Sequence, residues 1–170
     1  MSIESLFLKV SADQLLQQIG RIEVCLDKLN DDQIWARGGA NENAVGNLLL
    51  HLNGNVRQWI VASLGGASFE RDRDNEFAAR GGMTSAELLG KLRGTIEEAA
   101  QVIARLTTDQ LTRIYEIQGY QPSGLEAVYH VVEHFSYHTG QIIFATKMLT
   151  GEDLGFYAHL SSARPAQRVP

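Results

Sequence analysis

The chain has one cysteine, no block of like charge and no long apolar run in its 170 residues. A single thiol, Cys25, excludes an internal disulfide and with it any need for an oxidising compartment. It lies in the apolar series Ile22, Cys25, Leu26, Leu29 and reads as a small buried hydrophobe. Spanning a bilayer takes ~20 consecutive apolar residues, and the longest runs here are only a few, so no membrane span is expected. The start, MSIESLFLKVSADQLL, lacks a basic n-region and a small-residue cleavage site, which makes the cytoplasm the expected location. With Lys+Arg 15 against Asp+Glu 20 the net charge is −5, which argues against nucleic acid as a partner because phosphate binding draws on clustered basic residues. The densest charge cluster, FERDRDNEF from Phe69 to Phe77, mixes both signs and reads as a solvated loop.

Apolar residues at 44% and charged residues at 21% are those of an ordinary globular protein, and the length suits one core rather than two. A single domain over 1–170 is expected, its tail from about 160, with Pro165 and Pro170, loosely ordered. Helical periodicity runs from Ser2 to Leu29 through Leu6, Val10, Leu15, Ile19, Ile22, Leu26 and Leu29. Asn43 is placed to cap a second helix that ends at Gly65-Gly66. Thr84 and Glu87 form a T-x-x-E capping box for a third, and Thr108 signals a brief further turn. Ile114, Tyr115, Ile117 and Tyr120 mark an extended piece before Pro122. Ser123 then caps a fourth long helix closed by Gly151. Four long helices, a longer crossover at 67–83 and no βαβ pattern predict an all-α four-helix bundle.

The last helix carries YHVVEHFSYHTGQ, with His130, His134 and His138 at four-residue spacing. Residues i and i+4 on a helix are ~6 Å apart along the axis and ~40° apart around it, so two such imidazoles can chelate one ion. The pairs 130/134 and 134/138 are both possible, but His130 and His138, ~12 Å apart along the axis, cannot share an ion. A third ligand must come from elsewhere. His51, set among leucines in NLLLHLNGNV, is the natural one, because a bundle builds its sites between facing helices. Three histidines leave open positions on a metal, as catalytic sites do. On spacing alone these residues are equally compatible with ordinary hydrogen-bonded core or surface histidines.

HFSYHTGQI, with NLLLHLNGNVRQWI upstream, resembles the DinB/YfiT-like superfamily of metalloenzymes. That family shows a histidine in the second helix of an up-down-down-up bundle and an HxxxH pair followed by Gly-Gln in the last long helix. The resemblance covers nearly the whole chain in helix number, order and length. It implies a divalent metal, zinc or nickel, on His51, His134 and His138, because Gly140-Gln141 closely follows His138, and it leaves His130 one turn away. Family members are thiol-dependent S-transferases and isomerases using low-molecular-weight thiols such as bacillithiol, mycothiol or glutathione.

Other residues fall near these ligands. Asn55 and Gln58, four and seven residues after His51, share its helical face and are candidates, with His130, for catalytic contacts to a substrate or a metal-bound water; a polar bundle rim is the alternative. Gln141, three residues after His138, is a candidate to orient it. Glu133 points ~100° away from His134 and is a poor general base. HVVEH fits H-x-x-E-H but is too short to carry weight, and HExxH is absent. Arg57, Arg71, Arg73 and Arg80 bear on an anionic substrate, if the crossover is more than a solvated connection. Trp35, Trp59, Tyr120 and Tyr137 are expected in core or interface, and Gly46 and Gly54 at turns or close packing, or opening space beside His51. The expected function is a metal-dependent transfer of a small thiol to an electrophilic small molecule, by a homodimer. A metal-dependent hydrolase and a non-catalytic metal- or ligand-binding bundle of a stress response are the alternatives.

Overall fold

Ser2, Thr84 and Ser123 each accept a hydrogen bond from the backbone amide three residues on, and each opens a long helix. At Thr84 and Ser123 the glutamate at that third position reaches back, closing the capping boxes with Glu87 and Glu126. In the computed structural model, which describes residues 2–161, the chain is all-α. It runs α1 (Ile3–Leu26), α2 (Asp31–Ile34), α3 (Val45–Val56), α4 (Arg73–Ala78), α5 (Ser85–Ala104), α6 (Thr108–Thr112) and α7 (Gly124–Thr150). A π-helical turn, Arg57–Ala62, continues α3 without a break. The tail expected to be loose lies, from 162 on, outside the described residues.

Pairings between helices fix the topology. Glu23 meets Arg93 at 2.7 Å while Ser5 shares a groove with Ala104, so α1 and α5 are antiparallel. Asn53 bonds Thr95 and Arg57 bonds Glu98, so α3 and α5 are parallel. Gln18 meets Ser136 and Cys25 meets Thr146, which makes α1 and α7 parallel. His51 lies against His138 and Trp59 against His130, so α3 and α7 are antiparallel. The order is therefore up-down-down-up, with the long connection joining the two parallel helices.

One cluster of buried apolar side chains runs through α1, α3, α5 and α7, from Leu15 and Ile22 to Leu52, Ile96 and Phe135. Cys25 belongs to it and is fully buried. Among the described residues no helix is long and apolar enough to cross a membrane. Ile3, Leu6, Val10 and Leu16 stand exposed along α1.

Several expectations shift. Ala44, not Asn43, is the N-cap of α3, because the side chain of Asn47 reaches back to the Ala44 amide and supplies the cap bond itself. Thr107, not Thr108, caps α6. The extended piece is extended as expected but folds back on itself, Ile114 pairing with Ser123 and Ile117 with Tyr120 around a tight turn in which Gln118 (φ 54°) and Gly119 (φ 81°) both take positive φ. Tyr120 and Tyr137 are 66% and 64% exposed rather than buried. Space beside Gly46 is filled by the Trp35 ring, which a Cβ there would meet at 2.9 Å. The crossover is no simple solvated loop, since it contains α4 and turns two of its charges inward.

Phe135 is fully buried on α7 between the turns that carry the histidines. Truncation to alanine should cost about 3–5 kcal/mol in chemical denaturation at unchanged m-value. A loss under about 1 kcal/mol would mean that the α7 seam is not packed as described.

Candidate metal centre

α3 and α7 meet along one seam, and both present histidines to it. An α-helix drifts ~40° around its axis every four residues, which over two such steps would carry a side chain off the seam. The π turn from Arg57 is wider and rotates less per residue, so it takes back part of that drift. Trp59 thereby stays over α7, its ring 4.2 Å from that of His130.

His51, His134 and His138 each offer one ring nitrogen, all within 4.8 Å of one another. The Nε2 atoms of His51 and His138 each lie 3.1 Å from the Nε2 of His134. A tetrahedral ion with bonds of ~2.0–2.1 Å separates its ligand nitrogens by ~3.3 Å, close to this spacing. The outer nitrogens bear on whether these three atoms could hold a cation. Nδ1 of His51 faces a carboxylate oxygen of Glu76 at 3.1 Å, with Arg71 Nη2 also 3.1 Å away but donating to that same oxygen at 2.7 Å, and Nδ1 of His138 faces Oε1 of Gln141 at 2.7 Å. An anionic or carbonyl oxygen there favours the tautomer with its proton on Nδ1. Both Nε2 atoms then aim lone pairs at the third imidazole, and one proton on His134 can serve only one of them. Two helices so hold nitrogen donors with open ends together, and the donor set fits a divalent metal ion.

Glu76 and Arg71, from α4 and the segment before it, complete the site. Arg71 donates from Nε and Nη2 to the two Glu76 oxygens, both at 2.7 Å, in a bidentate pair. Their side chains are only 3% and 10% exposed. Burial pushes the Glu76 carboxyl up, but bonds from Arg71 and His51 outweigh it and hold it below the usual carboxylate range. The pair fits against α3 because residue 54 is glycine, where a Cβ would stand 1.9 Å from Glu76 Oε1. Neither Glu76 nor the seat of Arg71 was read from the sequence. The available signal was an unlike-charge pair in the longest connection, beside a glycine in the helix of His51.

The remaining candidates scatter. Gln58 turns toward the crossover and accepts from Arg71 at 3.2 Å. Asn55 is buried, and its Oδ1 has no hydrogen-bond partner. His130 stacks on Trp59 and stays outside the cluster, its ring 5.4 Å from that of His134. Of the arginines, Arg57 pairs with Glu98, Arg73 covers the Phe77 ring, and Arg80 donates to the carbonyls of 77–79. None of these three reaches the histidines.

Two predictions test this geometry. A metal-orienting partner usually accounts for 10–100-fold in affinity, so Glu76→Gln should weaken zinc binding by about that factor in chelator competition. Gly54→Ala, which touches no ligand, should weaken it too by displacing Glu76; full affinity in both would sink the coupling. The second concerns acid. Burial first, then the neighbouring imidazoles, pushes His134 down to about 3, and burial also lowers His130 and His138. Between those values and the ordinary 6.5 the unfolded chain binds more protons, so stability falls as pH drops. Glu76 loses its contribution only below the ordinary carboxylate range, which leaves the window from pH 7 to 5 to the histidines. The Tm of metal-free protein should fall across that window, and less steeply in His134→Ala; equal slopes would contradict the assignment.

The fold is shared with solved proteins. A conserved protein from Enterococcus faecalis superposes with TM-score 0.71 at 12% identity, over 89% of this chain and 99% of that one. A DinB-like protein from Bacillus cereus gives 0.63 at 16% identity, over 82% and 93%. Identities this low establish the all-α, DinB-like fold and nothing more. No curated protein matches the chain. A family described as a protein of unknown function, DUF1572, matches residues 2–164, and the chain belongs to that family.

Proposed function

We propose that this protein is a divalent-metal-dependent enzyme that transfers a low-molecular-weight thiol to an electrophilic small molecule. The observation that carries the proposal is the convergence of three Nε2 atoms from two helices, two of them backed by Glu76 and Gln141. Three protein ligands leave coordination positions for an exogenous group, as in catalytic rather than structural sites. A bound divalent ion supplies Lewis acidity, which makes a thiol or a water nucleophilic near neutral pH.

The chain's own residues support a thiol brought from outside. Cys25 is the only cysteine, fully buried, and its thiol is pushed up by burial, so it offers no nucleophile. His134 and His138 are neutral near pH 7, ready to act as ligands. Trp59, largely buried, packs its ring against His130 beside the cluster. His130, outside the ligand set with its ring 5.4 Å from that of His134, would exchange a proton with a reacting group in this reading.

Elemental mass spectrometry on tag-free protein tests the ligand set. Wild type and His130→Ala should carry about one equivalent of metal, and His51→Ala, His134→Ala and His138→Ala none. Loaded protein should then consume an electrophile only when glutathione, bacillithiol or mycothiol is added. Turnover by water alone would replace the transferase with a hydrolase. Metal without turnover under any of these conditions would leave a binding module.

A further inference from the structure

Two buried polar atoms at the seam lack partners: Oδ1 of Asn55, an acceptor, and Nδ1 of His134. Buried groups of this kind are nearly always paired in folded proteins, and each exception calls for a physical reason. His134 directs its Nε2 at the other two histidines, so the proton of its neutral ring belongs on Nδ1 whenever Nε2 acts as a ligand. Nδ1 is then a donor with nothing to donate to. His51 and His138 do not share this defect, since Glu76 and Gln141 face their Nδ1 atoms.

Asn55 is buried on α3, four residues after His51. Its neighbour one turn earlier, His51, touches His134, and its neighbour one turn later, Trp59, stacks on His130. Because α3 and α7 are antiparallel, the position midway between His51 and Trp59 faces the stretch of α7 between His130 and His134. Asn55 is 3% exposed, so water from bulk does not compete for its oxygen. The terminal torsion of an asparagine is broad, and its carbonyl can turn toward a neighbour at little cost.

We propose that Asn55 is the positioning residue of His134, its Oδ1 accepting the Nδ1–H when Nε2 serves as a metal ligand. The role rests on the three-histidine metal site proposed above. Each ligand then has its own oxygen acceptor: a carboxylate for His51, and a side-chain amide for His134 and for His138. The acceptor sets the tautomer of His134 and the tilt of its ring, as outer partners of ligating histidines do. This assigns Asn55 to a ligand rather than to substrate.

Zinc affinity of the full chain, measured by chelator competition on wild type, Asn55→Asp and Asn55→Leu, tests this. Asn55→Leu should bind about 10–100-fold more weakly, while metal-free Tm holds or rises because an unpaired buried amide has been removed. Asn55→Asp keeps an acceptor and should bind within a few-fold of wild type or tighter. In zinc-loaded wild type, nitrogen-15 NMR should show the His134 Nδ1–H protected from solvent exchange, a readout that needs no variant to fold. Wild-type affinity in Asn55→Leu, equal losses in both variants, or an unprotected Nδ1–H would each overturn the assignment. Absence of zinc binding in wild type would instead sink the metal reading itself.

Discussion

The buried Arg71–Glu76 pair is the interaction on which the site depends. A carboxylate and a guanidinium lose hydration when they enter a protein, and only good geometry repays it. Here two parallel bonds of 2.7 Å tie the pair, and the carboxylate oxygen that accepts from Arg71 Nη2 also faces His51. Removing either partner would leave a buried charge, a loss of about 3–5 kcal/mol. The crossover is thereby held against α3 by the same atoms that fix the tautomer of His51. Loop order and ligand order are one event. Asn47 adds a second tie, its amide donating to the Glu76 carbonyl at 2.8 Å.

The two ligand-bearing helices contribute differently. On α7, i and i+4 spacing brings His134 and His138 together by local geometry alone. On α3, His51 arrives only because the bundle packs α3 antiparallel to α7 and Glu76 turns the ring. A chain with α7 formed but α3 undocked would therefore keep a two-histidine chelate, and the native site adds the third ligand. Metal in such a site stabilises the native state by the affinity gap between three ligands and two, not by the whole binding energy.

Much of this was legible in the residue order, and the limits are physical. The long helices announced themselves because caps such as Thr84 and Ser123 act within four residues of themselves. The HxxxH pair was legible for the same reason. His51 stood out as a polar residue in an apolar stretch, although its partner lies 83 positions away. Glu76 and Arg71 were not legible, because a mixed-charge run looks the same whether water or a neighbouring helix receives it. What separates the cases is Gly54, whose missing side chain makes room, and nothing local ties residue 54 to residue 76. Asn43 failed as a cap because the helix starts one residue later, with Asn47 accepting from the Ala44 amide from inside the first turn. Tyr120 and Tyr137 were read by type, whereas exposure is decided by which face the seam leaves outside.

The same seam explains why three imidazoles tolerate one another without charge. If two were protonated, like charges would face each other across about 3 Å in a half-buried site, a cost of several kcal/mol even at moderate effective dielectric. Burial and mutual repulsion both act against protonation, and for His134 they take the ring to about 3. Lone pairs are thus kept available through the neutral range, at the expense of stability in acid. Had selection favoured the bundle alone, leucine or phenylalanine at these positions would pack the seam without that loss. Retaining nitrogen donors there, with Glu76 and Gln141 aimed at two of them, is costly unless a cation occupies the gap between helices. The geometry that weakens the empty fold is the geometry that a divalent ion would stabilise.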